Sequence, residues 1–561
     1  MAVLNASMIA AFCCVALANA SGAPEPVRPP VLGSRRFGGS TAIAVPHLSR
    51  KGRSEEARPG AATAAAAASV QRLRGGGENF NFGSAPPFVL ACAAFAAMDS
   101  LLLGYDIGCV SGILLFVQEE FGLTSHQAEV FASAMNAAAL VGALVSGWFA
   151  DKFGRKPALF VSSVTFAVGS IMMALANSFD ALVYSRYIQG FGVGAGLLIS
   201  PMFISEVAPK EFRGALVTLG EVSLSLGILL AYIINYLLSG VPNQWRWMIA
   251  LGALPDVLLA LRMLFLPESP RFLLQKGNLE KARKVQRFIM RPMPEAQADK
   301  ELDEIVNEMD TEKEGSWREI LEMPAFAAVI IAITLACFQH SVGIESMIYY
   351  STKIFQQAGV TSKSVAILGT VGMGLVKLMA ETYSLLHLDV VGRRPLLLLG
   401  AVGLTASLLC LGLAMQIKLS VGLPGITGGS YGVIASLIAY MAFHALSYGP
   451  ISWLVATEIL PQNIRGKAMG LATMVNRVTS FVVASTFLTL CEKLQWSGAF
   501  YVYAGFALLS LVFYVLLIPE TNGLALEVIT PMFSKPVQLM RQNLKTLKHG
   551  GRAPPGTYSS K

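Results

Sequence analysis

Charge is scarce in this chain: Asp, Glu, Lys and Arg make up 14% of its 561 residues, against 54% hydrophobic ones, and mean hydropathy is +0.56. A soluble globular domain carries roughly 25% charged residues, so that class is excluded and a membrane protein remains. Cysteine is sparse too. The seven, Cys13, Cys14, Cys92, Cys109, Cys337, Cys410 and Cys491, lie in or beside apolar stretches with no C-x-x-C and no metal-ligand spacing. They read as small packing residues, not as a redox or zinc framework. No G-x-x-x-x-G-K-[ST] string occurs, which removes a nucleotide-driven pump. The net charge of +8 does not indicate nucleic acid. Residues 1–87 hold nine Lys/Arg against four Asp/Glu and residues 519–561 hold six against two, leaving the body at about −1.

Apolar runs are what the chain has in abundance. Stretches of roughly 20 residues, the length a helix needs to cross a bilayer core about 30 Å thick, recur twelve times. They are 88–113, 127–150, 157–176, 181–204, 215–238 and 247–266, then 325–351, 364–388, 395–416, 431–457, 468–490 and 498–518. A porin-type barrel would show short strands of alternating polarity instead, and is excluded.

Basic residues sort to one side. The turns after the even-numbered spans hold Lys152/Arg155/Lys156, Lys210/Arg213, a long charged segment, Arg393/Arg394 and Arg465/Lys467, while the alternate turns are poor in them. The positive-inside rule makes these faces, and both ends of the membrane body, cytosolic. Residues 267–323 form a charge-dense insertion in which Leu302, Ile305 and Met309 recur at helical spacing. They read as short amphipathic helices or as a solvated linker. Residues 1–87 are Ala/Gly/Pro/Ser-rich with scattered Arg, a composition that disfavours a packed core. The extreme N-terminus resembles a signal peptide ending at Ala18-Asn19-Ala20, though no Lys or Arg precedes its apolar run. The basic, Ser/Ala-rich stretch after it resembles a transit peptide, so the plasma membrane and a plastid envelope both stand as destinations.

The chain repeats itself. "DKFGRKP" at Asp151 returns as "DVVGRRP" at Asp389, "EVAPKEFRG" at Glu206 as "EILPQNIRG" at Glu458, and "PES" at Pro267 as "PET" at Pro519. The second and third pairs are both 252 residues apart, and the 57-residue insertion makes that period longer than six helices. Three markers in one order indicate a parallel duplication of six helices, whose halves would enclose a midplane site and rock about it.

These strings, with "GWFADKFGRKP", "YSRYIQGFGVGAG", "PESPRFLL" and "GPISWLVATEILPQNIRG", resemble the sugar porter family of the major facilitator superfamily over about residues 88–525. "GYDIGCVSG", "GEVSLSLGILLAYIINY" and "FQHSVGIESMIYYSTKIFQQAGV" are most similar to its plant polyol and monosaccharide proton symporters. The resemblance implies an all-α membrane protein of twelve transmembrane helices in two pseudo-symmetric six-helix bundles, with a cytosolic helical insertion. It would divide the chain into 1–87, 88–266, 267–323, 324–518 and 519–561. It also implies a secondary transporter of a monosaccharide or polyol, not an enzyme. That transporter would work by alternating access with a proton, need no cofactor or metal, and function as a single chain in the bilayer. A proton-independent facilitator and a carrier of an organic ion are the alternatives.

An ionisable group deep in a span costs about 2.5–3.5 kcal/mol on insertion scales, so each one here is a functional hypothesis. Asp106 in "GYDIG" suits proton binding, and the resemblance implies Arg186 as its cation; a fixed ion pair is the plainer reading. Asp99, two turns before Asp106, reads as a residue of the outer mouth or of the cavity. Glu221, Glu345 and Lys377 fall where the family's hexose carriers place amides, with Gln339 and His340 just ahead of Glu345. Lys377 has two candidate partners, Glu345 across the helices and Glu381 one turn along its own. Should Glu381 take it, Glu345 becomes a rival coupling acid. Trp453 offers a ring face to a sugar and Asn476 can donate and accept. Arg477 either balances Glu221 or snorkels. Tyr349 and Tyr350 suit an outer gate or plain packing. Gly190, Gly192, Gly194 and Gly196 allow close helix approach. Asp151/Arg155, Glu206/Arg213, Asp389/Arg393 and Glu458/Arg465 read as a cytosolic latch, or as topology anchors.

Overall fold

The structure, a computed structural model, describes residues 87–547 apart from 209–212, 264, 312–314, 422–427 and 525. The leader with its Ala18-Asn19-Ala20 site and nearly all of the expected N-terminal extension lie outside the described residues, as does the Arg213 side chain. Among the described residues every regular element is a helix.

The first half is α1 (Pro87–Glu120), α2 (Ser125–Phe153), α3 (Arg155–Ala174), α4 (Phe179–Val207), α5 (Arg213–Leu238) and α6 (Gln244–Met263). Three helices follow on the cytosolic side, α7 (Pro270–Gln275), α8 (Leu279–Ile289) and α9 (Glu295–Thr311). The second half is α10 (Ala325–Ser341), α11 (Ile344–Tyr349), α12 (Ser351–Gln357), α13 (Lys363–Val391), α14 (Arg393–Val421), α15 (Gly428–Phe443), α16 (Pro450–Ile459) and α17 (Arg465–Leu517). The tail adds α18 (Leu526–Met532) and α19 (Pro536–Leu547).

Ten of these segments are long and apolar enough to cross a membrane. One of them, α17, runs for 53 residues. At 1.5 Å per residue it would be about 80 Å long, far beyond a core about 30 Å thick. Gln495, at φ 63° and ψ 165°, bends it into two spans. Adding α6, whose apolar run is interrupted by Pro255 and Asp256, gives the expected twelve. The first span is longer than the sequence pattern indicates, continuing helically through "LFVQEE" to Glu120.

Helix starts follow local chemistry. Thr124 and Gln127 close a reciprocal capping box on α2, while Ser178 and Ser362 accept from Ala181 N and Val365 N to start α4 and α13. Small residues set the helix spacing. A Cβ on Gly190 or Gly194 would lie 2.3 or 1.9 Å from the Met135 or Ala139 carbonyl oxygen of α2, and one on Gly192 would lie 2.7 Å from Phe166 N of α3. The alternating glycines therefore serve two neighbours, one on each face of α4.

Toward their outer ends the two bundles are tied together. Glu129 of α2 accepts the Thr489 backbone N–H at 2.7 Å and its hydroxyl at 2.6 Å. Thr352 donates to the Ser111 carbonyl at 2.6 Å, and Lys363 pairs with Glu119.

Candidate functional site

Asp106 lies in the middle of α1, only 7% exposed. Arg186 Nη1 of α4 donates to Asp106 Oδ2 at 2.7 Å and to Gln189 Oε1 at 3.0 Å. The Gln189 amide returns to Asp106 Oδ1 at 2.7 Å and reaches Ser170 Oγ of α3 at 3.1 Å. Arg186 and Gln189 are three residues apart on one helix, so they share a face and hold both carboxylate oxygens at once. The Phe131 ring, 5.1 Å away, covers the guanidinium.

The second cluster stands where spans are broken. Span seven stops at Ser341, turns through Gly343 at φ 94° and restarts at Ile344; span ten passes through a π-helical turn at His444–Tyr448 before Pro450 restarts it. A broken helix frees backbone carbonyls that lipid cannot satisfy. Gln339 meets that need, donating to the Tyr448 and Gly449 carbonyls at 3.2 and 3.1 Å. Its own carbonyl accepts from Asn476 at 2.7 Å, and Asn476 donates again to Ala336 at 3.0 Å. His340 lies between Asn476 Oδ1, 3.1 Å from Nε2, and Glu345 Oε1, 3.2 Å from Nδ1. Ser480 completes the carboxylate at 2.7 Å. Gln339, His340, Glu345 and Asn476 thus form one polar surface.

Arg477 belongs to that surface as well. Its Nη2 donates to Asn476 Oδ1 at 2.6 Å and lies 3.4 Å from His340 Nε2. It neither snorkels nor turns to Glu221; its partners are Asn476 and His340, beside Glu345.

Lys377 takes its helical neighbour. Its Nζ is 2.8 Å from Glu381 Oε2, one turn along α13, and also meets Ser225 of α5. Ser225 donates in turn to Glu381, so this triad joins the two bundles near the midplane. Glu345 does not pair with Lys377; the i to i+4 partner is already in place, while Glu345 has His340 and Ser480. Glu221 feels the charges of both Glu381 and Lys377, which makes two acids around one ammonium.

The remaining residues are placed differently. Trp453 of α16 is half-buried. Tyr350 is fully buried, donates to the Ala484 carbonyl at 2.8 Å and stacks on Phe487 at 5.3 Å, which is a packing arrangement within the second bundle. Tyr349, 1% exposed, lies within electrostatic reach of Glu345, Arg186 and Asp106, between the two clusters. Asp99 is not at the outer mouth. It lines a cavity toward the end of α1 that begins at Pro87.

At the cytosolic ends the three repeated strings meet in space. Arg155 of the first "D-x-x-G-R" donates through Nη2 to Glu206 at 2.9 Å and lies 3.4 Å from Asp151. In the second half Arg393 reaches Glu458 at 3.1 Å and Asp389 at 2.9 Å. The glutamates of "PES" and "PET" cap the starts of α3 and α14: Glu268 accepts from Arg155 N at 2.9 Å, and Glu520 from Arg393 N at 3.0 Å. Burial pushes the Glu520 carboxyl above its ordinary range, against the backbone donors that hold it down. Gly154 and Gly392, at φ 108° and 97°, make the turn that brings each cap into place. The expected Glu458–Arg465 partnership is replaced by Glu458–Arg393, while Arg465 donates to the Leu460 carbonyl at 3.2 Å. Glu206 likewise goes to Arg155. Each of these ties stays inside its own bundle.

The sequence reading passed over Gln189, Ser170, Asp256 and Glu129. Asp256 carried a usable signal, an acid inside "ALPDVLLALR", whereas Ser170 and Gln189 gain meaning only when α3 and α4 pack on α1.

Known proteins share this architecture. The inward-open, partially occluded xylose transporter XylE of E. coli superposes with a TM-score of 0.66 at 26% identity, covering 78% of this chain and 99% of that one. The proton:xylose symporter XylE bound to 6-bromo-6-deoxy-D-glucose gives 0.65 at 26% identity, over 80% of this chain and 99% of its own. A probable polyol transporter of Arabidopsis thaliana is 35% identical over 458 residues, 80% of this chain and 85% of that protein. The glucose transporter GlcP of Staphylococcus epidermidis is 33% identical over 431 residues, 77% of this chain and 94% of that one. Residues 92–533 match the family described as "Sugar (and other) transporter", so with its paired six-helix bundles and repeated cytosolic caps the chain belongs to the sugar porters of the major facilitator superfamily.

Proposed function

We propose that the protein is a proton symporter for a monosaccharide or polyol, working by alternating access. The observation that carries this reading is the buried Asp106, whose two oxygens are held by Arg186 and Gln189. A carboxylate in that position binds a proton only when its cation moves away, which links protonation to helix position. The names of the relatives, polyol, glucose and xylose transporters among them, support the substrate class.

Substrate hydroxyls would be received by Gln339, His340, Glu345 and Asn476 from the second bundle, by Glu221 and Lys377 from the two sides of the interface, and by the Trp453 ring. A hydroxyl-rich ligand needs such convergent donors and acceptors beside an apolar face. Tyr349, lying between the two clusters, would couple closure over the substrate to the Asp106 site. Arg155, Glu206, Arg393 and Glu458, with Asp151 and Asp389, would hold the cytosolic ends rigid while the bundles rock.

One chain is the functional unit, in the plasma membrane or a plastid envelope; imaging the full chain with a C-terminal fluorescent tag separates these. Uptake of labelled glucose, mannitol and inositol beside an organic-anion panel tests the substrate class. Uptake of a neutral polyhydroxyl compound is expected, and transport confined to the ions would overturn the reading.

A further inference from the structure

Asp256 of α6 is 3% exposed. Its Oδ2 accepts from Ser170 at 2.9 Å, while Oδ1 has no partner and is buried. Two cavities meet at this side chain. The smaller, of about 10 Å³, is lined by Asp106, Gln189, Ser170 and Asp256. That is room for about one water. The larger, of about 180 Å³, is lined by Asp256, Asp99, Glu221, Ser162, Ser163 and Ser200. It has room for several waters and extends toward the cytosolic ends of α1, α3, α4 and α6, where Asp99 lies two turns from Asp106.

Both cavities lie inside the first bundle: every residue lining them comes from α1, α3, α4, α5 or α6. The groups facing Asp256 are Asp99, Tyr105 and Asp106 from α1, Ser170 from α3 and Gln189 from α4 with Arg186 behind it. Glu221 of α5 stands across the larger cavity. Arg186 is already committed to Asp106, so Asp256 faces acids, hydroxyls and an amide. A buried carboxylate so placed is costly when charged and needs a proton partner.

We propose that Asp256 is a second proton-carrying acid, which takes the proton from Asp106 across the small cavity and passes it to the cytosol through the larger one. The proton then leaves by the interior of the first bundle while the substrate leaves between the bundles. Each hop breaks one O–H bond and forms another. The Asp106 carboxylic acid gives its proton to the intervening water as that water gives one to the Asp256 carboxylate; Asp256 then repeats the step toward the waters of the larger cavity. No oxidant or cofactor takes part. Glu221 lines this cavity and also feels the Lys377–Glu381 pair, so the exit route meets the substrate groups at Glu221.

The inference rests on the symport reading. It is tested with the full chain in proteoliposomes, using labelled glucose, mannitol and inositol as probes. Asp256→Asn is expected to lower proton-driven uptake at least fivefold and to shift its pH dependence, with exchange counterflow within twofold of wild type. Asp256→Glu restores the driven rate, and Ser163→Phe, which fills the larger cavity, slows it while sparing counterflow. Wild-type uptake that ignores an uncoupler overturns the symport reading and this route with it. Uncoupler-sensitive wild-type uptake, with Asp256→Asn matching it in rate and pH profile or losing driven uptake and counterflow equally, overturns the route alone.

Discussion

Arg186 Nη1 and Asp106 Oδ2 are 2.7 Å apart in the middle of the first bundle, and Gln189, one turn from Arg186, occupies the other carboxylate oxygen at 2.7 Å. Removing the arginine would leave a buried carboxylate uncompensated, which costs about 3–5 kcal/mol. Asp106→Asn keeps the shape and removes the charge that can be protonated. We expect Asp106→Asn to fold, to lose accumulation against a gradient and to retain equilibrative exchange, whereas Arg186→Leu lowers thermal stability and folded yield. Purification yield, melting temperature and paired accumulation and counterflow assays check both outcomes. An Asp106→Asn protein that still concentrates substrate would remove this residue from coupling.

Lys377, Glu381 and Ser225 tie the two bundles near the midplane. Lys377→Met removes the ammonium that pairs with the buried Glu381 and leaves that charge facing Glu221, and the expected loss is about 3–5 kcal/mol. The double variant Lys377→Met/Glu381→Leu removes both charges and is expected to regain most of that stability. Thermal unfolding of the detergent-purified single and double variants measures the coupling. Additive losses would show that the two side chains do not act as a pair.

Gly154 and Gly392 occupy the same turn in the two halves. A Cβ on either would lie 2.2 or 2.6 Å from the capping carboxylate of Glu268 or Glu520, and both backbones have positive φ. Alanine at either position strains the turn and displaces the cap, at a cost on the order of 1–3 kcal/mol. Equal destabilisation of Gly154→Ala and Gly392→Ala in a melting experiment is the expected signature of pseudo-symmetry. A neutral Gly154→Ala would mean that the cap does not depend on the turn.

The sequence carried the fold because a bilayer leaves few choices. Apolar runs of spanning length, basic turns on alternate sides and three ordered repeats each have one reading. Charged residues inside apolar spans, such as Asp106, Glu345 and Lys377, stood out in the sequence as candidates. Pairings were harder to read. Glu206 and Arg213 share a string, yet Glu206 reaches Arg155 because the end of α4 lies beside the start of α3. Arg477 gave no sign of its direction, since the break in span seven that brings His340 and Glu345 within its reach is set by Gly343. Tyr350 suited either a gate or plain packing in sequence, and in the fold it stacks on Phe487.

Proton coupling is the central claim, and wild-type uptake across pH with and without an uncoupler tests it most directly. With the membrane potential clamped at zero, a two-unit pH gradient supplies about 2.7 kcal/mol per proton, a ceiling of about 100-fold accumulation for one proton per substrate. The account predicts substrate concentrated inside proteoliposomes when the outside is acidic, collapsing to the equilibrium level when the uncoupler is added. Equal internal and external concentrations at every pH, unchanged by the uncoupler, would contradict it and leave a facilitator.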